Sequence, residues 1–149
     1  MTEDQVALHG AMTLFLHKAN GEIETIHKDN LIVDAGFDFI ADAIGRPSAR
    51  PSHMSHVGLG TGTTASASAQ KSLVKEIDRN AATYAHTVGT KAFTFTASFP
   101  PGDATGPITE AGVFNAANGG VMLDRVVFPV VNKGPNDSLT TVFTFTMSQ

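Results

Sequence analysis

Alternation of apolar and polar residues is the strongest pattern in the chain. From Lys91 to Phe99, Phe93, Phe95, Ala97 and Phe99 share one side of an extended chain, while Thr94, Thr96 and Ser98 take the other. From Leu139 to Met147, Leu139, Thr141, Phe143, Phe145 and Met147 oppose Thr140, Val142, Thr144 and Thr146. Successive side chains of a strand point to opposite faces, so a strict period of two predicts two strands, each with one apolar and one threonine-rich face. Pro100-Pro101-Gly102-Asp103 ends the first, and Gly134-Pro135-Asn136-Asp137 precedes the second; both are turn compositions.

Between them, Gly106 to Pro129 reads as two short strands folded back on a glycine turn. Ile108, Ala111, Val113 and Phe114 come before Ala117-Asn118-Gly119-Gly120, and Val121, Leu123, Val126, Val127 and Phe128 return. This hairpin has the composition of the middle of a β-rich core. Ala7 to Ile26 predicts another hairpin, with Met12, Leu14 and Leu16 alternating before Asn20-Gly21, a type I′ turn signal, and Ile23 and Ile26 on the return.

Asn30-Leu31-Ile32-Val33 predicts a strand end that runs into a short helix over residues 35–44. Asp34 is placed to cap it, Phe37, Ile40, Ala41 and Ile44 form its apolar face, and Gly45 stops it. Arg46 to His56 has no periodicity and reads as a loop, the most basic one in the chain. Val57 to Thr64 reads as a strand end breaking into a turn. Ser66 to Arg79 predicts a helical turn that carries Leu73 and Ile77 inward, followed by another extended segment.

These elements predict a mainly β fold: an antiparallel β-sandwich or barrel, a jelly-roll arrangement among the options, with one short helix. A length of 149 residues fits a single domain, residues 1–149, with residues 1–10 as an extended arm. A chain of this size buries roughly 68–70% of its extended surface, enough for a core without staples. The absence of cysteine excludes thiol chemistry, Cys-ligated zinc and disulfides. A net charge of −4 argues against general attraction to nucleic acid. Only 16% of residues are charged, which leaves a surface of small neutral groups suited to packing on other subunits. The N-terminal stretch lacks the pattern of a secretory signal, and no run approaches the ~18 apolar residues of a membrane span, so a soluble protein is expected.

Candidate chemistry is sparse. Gly58, Gly60 and Gly62 suggest a nucleotide-binding loop, but neither GxGxxG opening a helix nor GxxxxGK[ST] is present. His53 and His56 stand three apart in a loop with no carboxylate close in sequence. His17 and His27 flank the first turn and could face each other across it, as a pair of zinc ligands would. His9 and His86 stand alone. Glu110, set among Ile108, Ala111 and Val113, reads either as a general acid with a raised pKa or as the buried partner of a basic residue or backbone amides. Arg125 and Arg79 are the candidate partners. No second carboxylate can be assigned beside Glu110, and no strained-nucleophile triad is visible. No catalytic, cofactor-binding or metal-binding residue is assigned, no cofactor is expected, and the expectation is a protein that is not an enzyme.

Three pieces together resemble a known family. Val57 to Thr64, then Leu73, Glu76 and Arg79, then Ile108-Thr109-Glu110-Ala111-Gly112-Val113-Phe114 with its glycine turn and Phe128-Pro129 occur in an order similar to that of the N-terminal attachment module of bacteriophage tail-collar and tail-fibre proteins. The likeness spans Val57 to Lys133, and Asn30 to Gly36 is similar to related small phage structural proteins. The resemblance implies a virion structural protein, made in a bacterial host, that binds tail, neck or capsid subunits as a homo-oligomer or in many copies, with no catalytic residues to carry over. The chain stops at Gln149, right after its last strand, where tail fibres continue into shaft and receptor-binding tip, so a collar, neck or fibre-adaptor piece or a capsid decoration (cement) protein is expected. A glycan-binding module is the more distant alternative, disfavoured by zero Trp and one Tyr.

Overall fold

The computed structural model describes residues 6–148. It contains β1 (Ala7–His17), β2 (Ile23–Ile32), α1 (Asp34–Gly45), β3 (His56–Gly60), β4 (Glu76–His86), β5 (Ala92–Phe99), β6 (Gly106–Phe114), β7 (Met122–Lys133) and β8 (Ser138–Ser148). The strands close into an antiparallel barrel in the order β1-β2-β7-β6-β3-β4-β5-β8. The fold is therefore mainly β with one short helix, and a barrel rather than a sandwich.

The alternating patterns build the interior. Met12, Leu14 and Leu16 of β1, Phe95, Ala97 and Phe99 of β5, and Leu139, Phe143 and Phe145 of β8 all point inward and are buried. β8 lies between β1 and β5, so its aromatic face meets both neighbours. Phe93 stacks on Phe145 at 5.3 Å between ring centroids, and Phe95 meets the same ring edge-on at 6.1 Å. Each fully buried side chain of this size contributes about 1.5–3 kcal/mol. The other threonines of β5 and β8 alternate with them; Thr141 keeps its place on the inward face of β8, and among the described residues its buried hydroxyl has no partner.

Ala7 to Gly10 are paired with Met147, Ser148 and their neighbours on β8, so this part of the expected arm is barrel wall. Residues 1–5 of that arm lie outside the described residues. The first turn is not type I′. The Gly21 amide donates to Lys18 O, Gly21 has φ +92°, and the Lys18 amide donates to Glu22 O, which makes a longer loop ending in a left-handed glycine. β7 runs past Pro129 to Lys133, and the Ser66–Arg79 stretch forms no helix. Leu73 is buried there as expected, whereas Ile77 lies on β4 and is 40% exposed.

The helix begins with Val33, not Asp34, at its N-cap, and no side chain caps it. Its predicted face is mostly outside: Phe37 is 52% and Ile44 81% exposed. Gly36 packs on the backbone of Leu123, with Phe39 and Ile40 also turned toward the barrel. The helix sits beside the thinnest junction of the wall. β2 and β7 share only the pairs Leu31–Arg125 and Ile32–Asp124.

Candidate functional site

Two places concentrate chemical groups. The first lies between the barrel wall and a strap, residues 61–75, that crosses its outer side. A register shift between Ile108 and Glu110 lets consecutive residues of β6 reach the strap. Thr109 Oγ1 donates to Gly62 O at 2.8 Å, and the Gly62 amide donates to Glu110 Oε2 at 2.7 Å. The Glu110 carboxylate also accepts from the amides of Val74 at 2.8 Å and Lys75 at 2.7 Å. Arg125 Nε, from the return strand, donates to Glu110 Oε1 at 3.0 Å, and both side chains are fully buried. Arg125 Nη1 continues to Thr64 O and Gln70 Oε1.

Burial alone would push the Glu110 carboxyl up, but the three amides and Arg125 outweigh it and hold it below its ordinary value. Of the two roles read for Glu110, the geometry is that of a buried partner, and the partner is Arg125. Arg79 serves a second carboxylate. Its Nε and Nη2 each lie 2.7 Å from Glu76, its guanidinium sits 3.6 Å from the centroid of Phe114, and Nη1 donates to the carbonyls of Ala116 and Gly119 in the β6–β7 turn.

The glycine-rich stretch belongs to this corner. A Cβ on Gly60 would stand 2.6 Å from Glu110 Oε2, and one on Gly62 would stand 2.6 Å from Val74 Cβ and closer still to the same carboxylate. The glycines are there so that backbone can close over Glu110. Gly62→Ala should therefore cost about 1–3 kcal/mol, the range for overpacking a closed site. Urea unfolding checks this, and an unchanged midpoint would mean the strap gives way freely.

The histidines do not assemble. His17 pairs with Ile23 and His27 with Thr13, whose hydroxyl lies 2.8 Å from His27 Nδ1, so the two do not face each other. His53 Nδ1 contacts Met54 O, His56 Nδ1 contacts Ser55 Oγ, His86 Nδ1 contacts Ala92 O, and His9 lies 3.3 Å from Asp29. Among the described residues no group of three or more His, Asp or Glu is placed to hold a metal ion. The basic loop turns on its own helix: Arg50 donates to the carbonyls of Ala43 and Arg46, where the helix dipole is negative.

The second place is a cavity of about 700 Å³ at one mouth of the barrel. Phe39, Ile40 and Ala43 of α1 form one wall, Tyr84, Phe93 and Phe95 of β4 and β5 another, and Leu8, Met54 and Leu123 lie between them. Arg50 and His53 stand in its lining. The helical stripe through Phe39 and Ala43 was the available sequence signal for this wall, but Phe37 and Ile44 mask it with a stronger apolar pattern.

Two buried groups had no sequence signal. Asp124 is fully buried beside the thin β2–β7 junction, where it accepts from the Asn30 amide and, at 3.1 Å, from the Val113 N–H. Desolvation pushes its carboxyl up to about 8, although the Val113 amide works the other way. Lys133 is buried with Nζ 3.2 Å from Pro100 O. Desolvation lowers its pKa against the pull of Asp137, Asp103 and Asp78. No family model, curated protein or solved structure matches this chain.

Proposed function

We propose that this chain is a non-enzymatic bacteriophage virion protein that binds neighbouring subunits by surface complementarity, as a collar, neck or fibre-adaptor component, with capsid decoration as the alternative location. The observation that carries the reading is the convergence of the three resembling sequence pieces. The glycines of Val57–Thr64 close over Glu110, Leu73 packs with Phe114, and the Glu76–Arg79 pair lies against the Phe114 ring. Pieces weak in isolation thus form one interlocked corner of the barrel, which supports treating their order as the signature of a common building unit. The charged groups of these motifs are spent on holding that corner.

A closed barrel offers neighbours no free strand edge, so contacts fall to side-chain faces. The half-buried threonine rows of β5 and β8 and exposed apolar residues such as Val88 and Val130 suit such contacts. The test is light scattering on the purified chain, followed by co-sedimentation with capsids lacking it and with isolated tails. Saturable binding in many copies to capsids supports decoration, and a few copies on tails or necks supports the collar or adaptor reading. Binding to neither overturns the proposal.

A further inference from the structure

The cavity at the barrel mouth has the dimensions and lining of a small-ligand site. Its volume, about 700 Å³, lies within the range of roughly 300–1,000 Å³ typical of such sites, and its walls are mainly apolar with a few polar groups at fixed positions. The walls belong to rigid elements: a barrel strand pair on one side and a docked helix on the other. Met54 and Leu123, 5% and 4% exposed, lie deep in it.

The polar part of the lining has one sign. Arg50, His53 and Tyr84 are its polar-tipped side chains, and among the described residues no carboxylate lines it. Arg50 is fixed there because its guanidinium bonds the carbonyls of Ala43 and Arg46 at the end of α1. Those bonds use two of its five N–H donors. His53 Nδ1 donates to Met54 O, so the other ring nitrogen donates to an anionic ligand when the ring is doubly protonated.

We propose that this mouth binds a single-chain carboxylate, with the acyl chain along Phe39, Phe93 and Phe95 and the carboxylate at Arg50 and His53. The cation makes the site selective for an anionic head, and the apolar depth makes it selective for chain length. A neutral head loses the charge-assisted hydrogen bonds, and a cationic head meets Arg50 with like charge. Each methylene added, up to the length that fills the cavity, should tighten binding about fourfold.

The experiment is isothermal titration of the full chain with octanoate, decanoate and dodecanoate below their micelle concentrations, then with dodecanol and dodecylammonium. The expected result is one saturable site, affinity rising along the acid series, and dodecanoate bound about tenfold or more tighter than dodecanol, with dodecylammonium weakest. Ala43→Phe, which places a ring into the cavity from the helix wall, should weaken dodecanoate at least tenfold without lowering the melting temperature. Absence of saturable binding, equal affinity for the three head groups, or an Ala43→Phe variant that binds as the parent does would each overturn the proposal. The chain-length and head-group series use the unaltered protein and decide the matter even where the variant fails to fold.

Discussion

Glu110→Gln should lower the unfolding free energy by on the order of 3–5 kcal/mol, the range for removing one partner of a buried ion pair. Glutamine keeps the shape of the side chain but turns one oxygen into a donor. Oε1 now accepts from Val74 and Arg125, and Oε2 from Gly62 and Lys75, so either orientation of the amide sets donor against donor. Arg125 is left as a fully buried cation without its counter-charge, and among the described residues its Nη2 already has no partner. Urea unfolding measures the loss. Glu110→Gln combined with Arg125→Met should cost clearly less than the sum of the two single changes, because the second substitution removes the stranded charge. Glu22→Gln, which loosens only the exposed 3.8 Å contact with Lys18, should change stability by no more than about 0.5 kcal/mol. Equal effects at Glu110 and Glu22 would show that the strap is not pinned by this pair.

Stability should fall as pH rises from about 4 to about 8, by a few kcal/mol, through Asp124. Desolvation raises its folded carboxyl from 3.8 to about 8. Between those values the folded protein keeps a proton that the unfolded chain has released, so folding is favoured at the acid end and the advantage is gone above the folded pKa. Glu110 and Asp137 act in the opposite sense, since their folded carboxyls are held below their ordinary values of 4.5 and 3.8 and their contributions are lost as pH falls through the acid edge of Asp124's window and beyond. Asp124→Asn removes the proton-linked slope while keeping a neutral group of the same size beside Asn30. Melting temperatures at about pH 5 and about pH 8 test the linkage: the parent should be less stable at the higher value, and the Asn variant should be nearly level. A parallel decline in both proteins would assign the slope to other groups.

The legible parts of the fold were those in which local pattern and global packing agree. The aromatic faces of β5 and β8 were readable because a period of two states both the strand and its buried side. The pairing of Glu110 with Arg125 was readable because a hairpin brings its two strands together; Gly112, two residues from Glu110, lies opposite Arg125. The helix was placed correctly but turned wrongly. At Gly36 the helix backbone comes so near the Leu123 backbone that a Cβ would not fit, and a glycine adds nothing to an apolar stripe, while Phe37 and Ile44 add much and stay outside.

The strap misled for another reason. The Val74 and Lys75 amides are claimed by a carboxylate distant in sequence, so a stretch with helical composition is held in turns and irregular backbone rather than a helix. Asp124 reads as an ordinary polar position on a return strand. Its burial depends on β2, α1 and the wall meeting around it, and no short window of sequence contains that information. The barrel-mouth cavity is invisible for the same reason, since its lining comes from β1, α1, the 50–54 loop, β4, β5 and β7.

The pairing of β1 with β8, registered from Ala7–Ser148 to His17–Ser138, bears on how the molecule is made. During synthesis β1 can find β2 at once, but its other hydrogen-bonding edge waits until β8 has emerged. Throughout that interval Met12, Leu14 and Leu16 belong to an unfinished sheet with an open side, the state in which strands recruit wrong partners. Contacts so distant along the chain also slow the search. Folding should therefore end in a single late closure, and a ribosome-bound chain ending before Ser138 should be protease-sensitive along β1, however well the hairpins have formed.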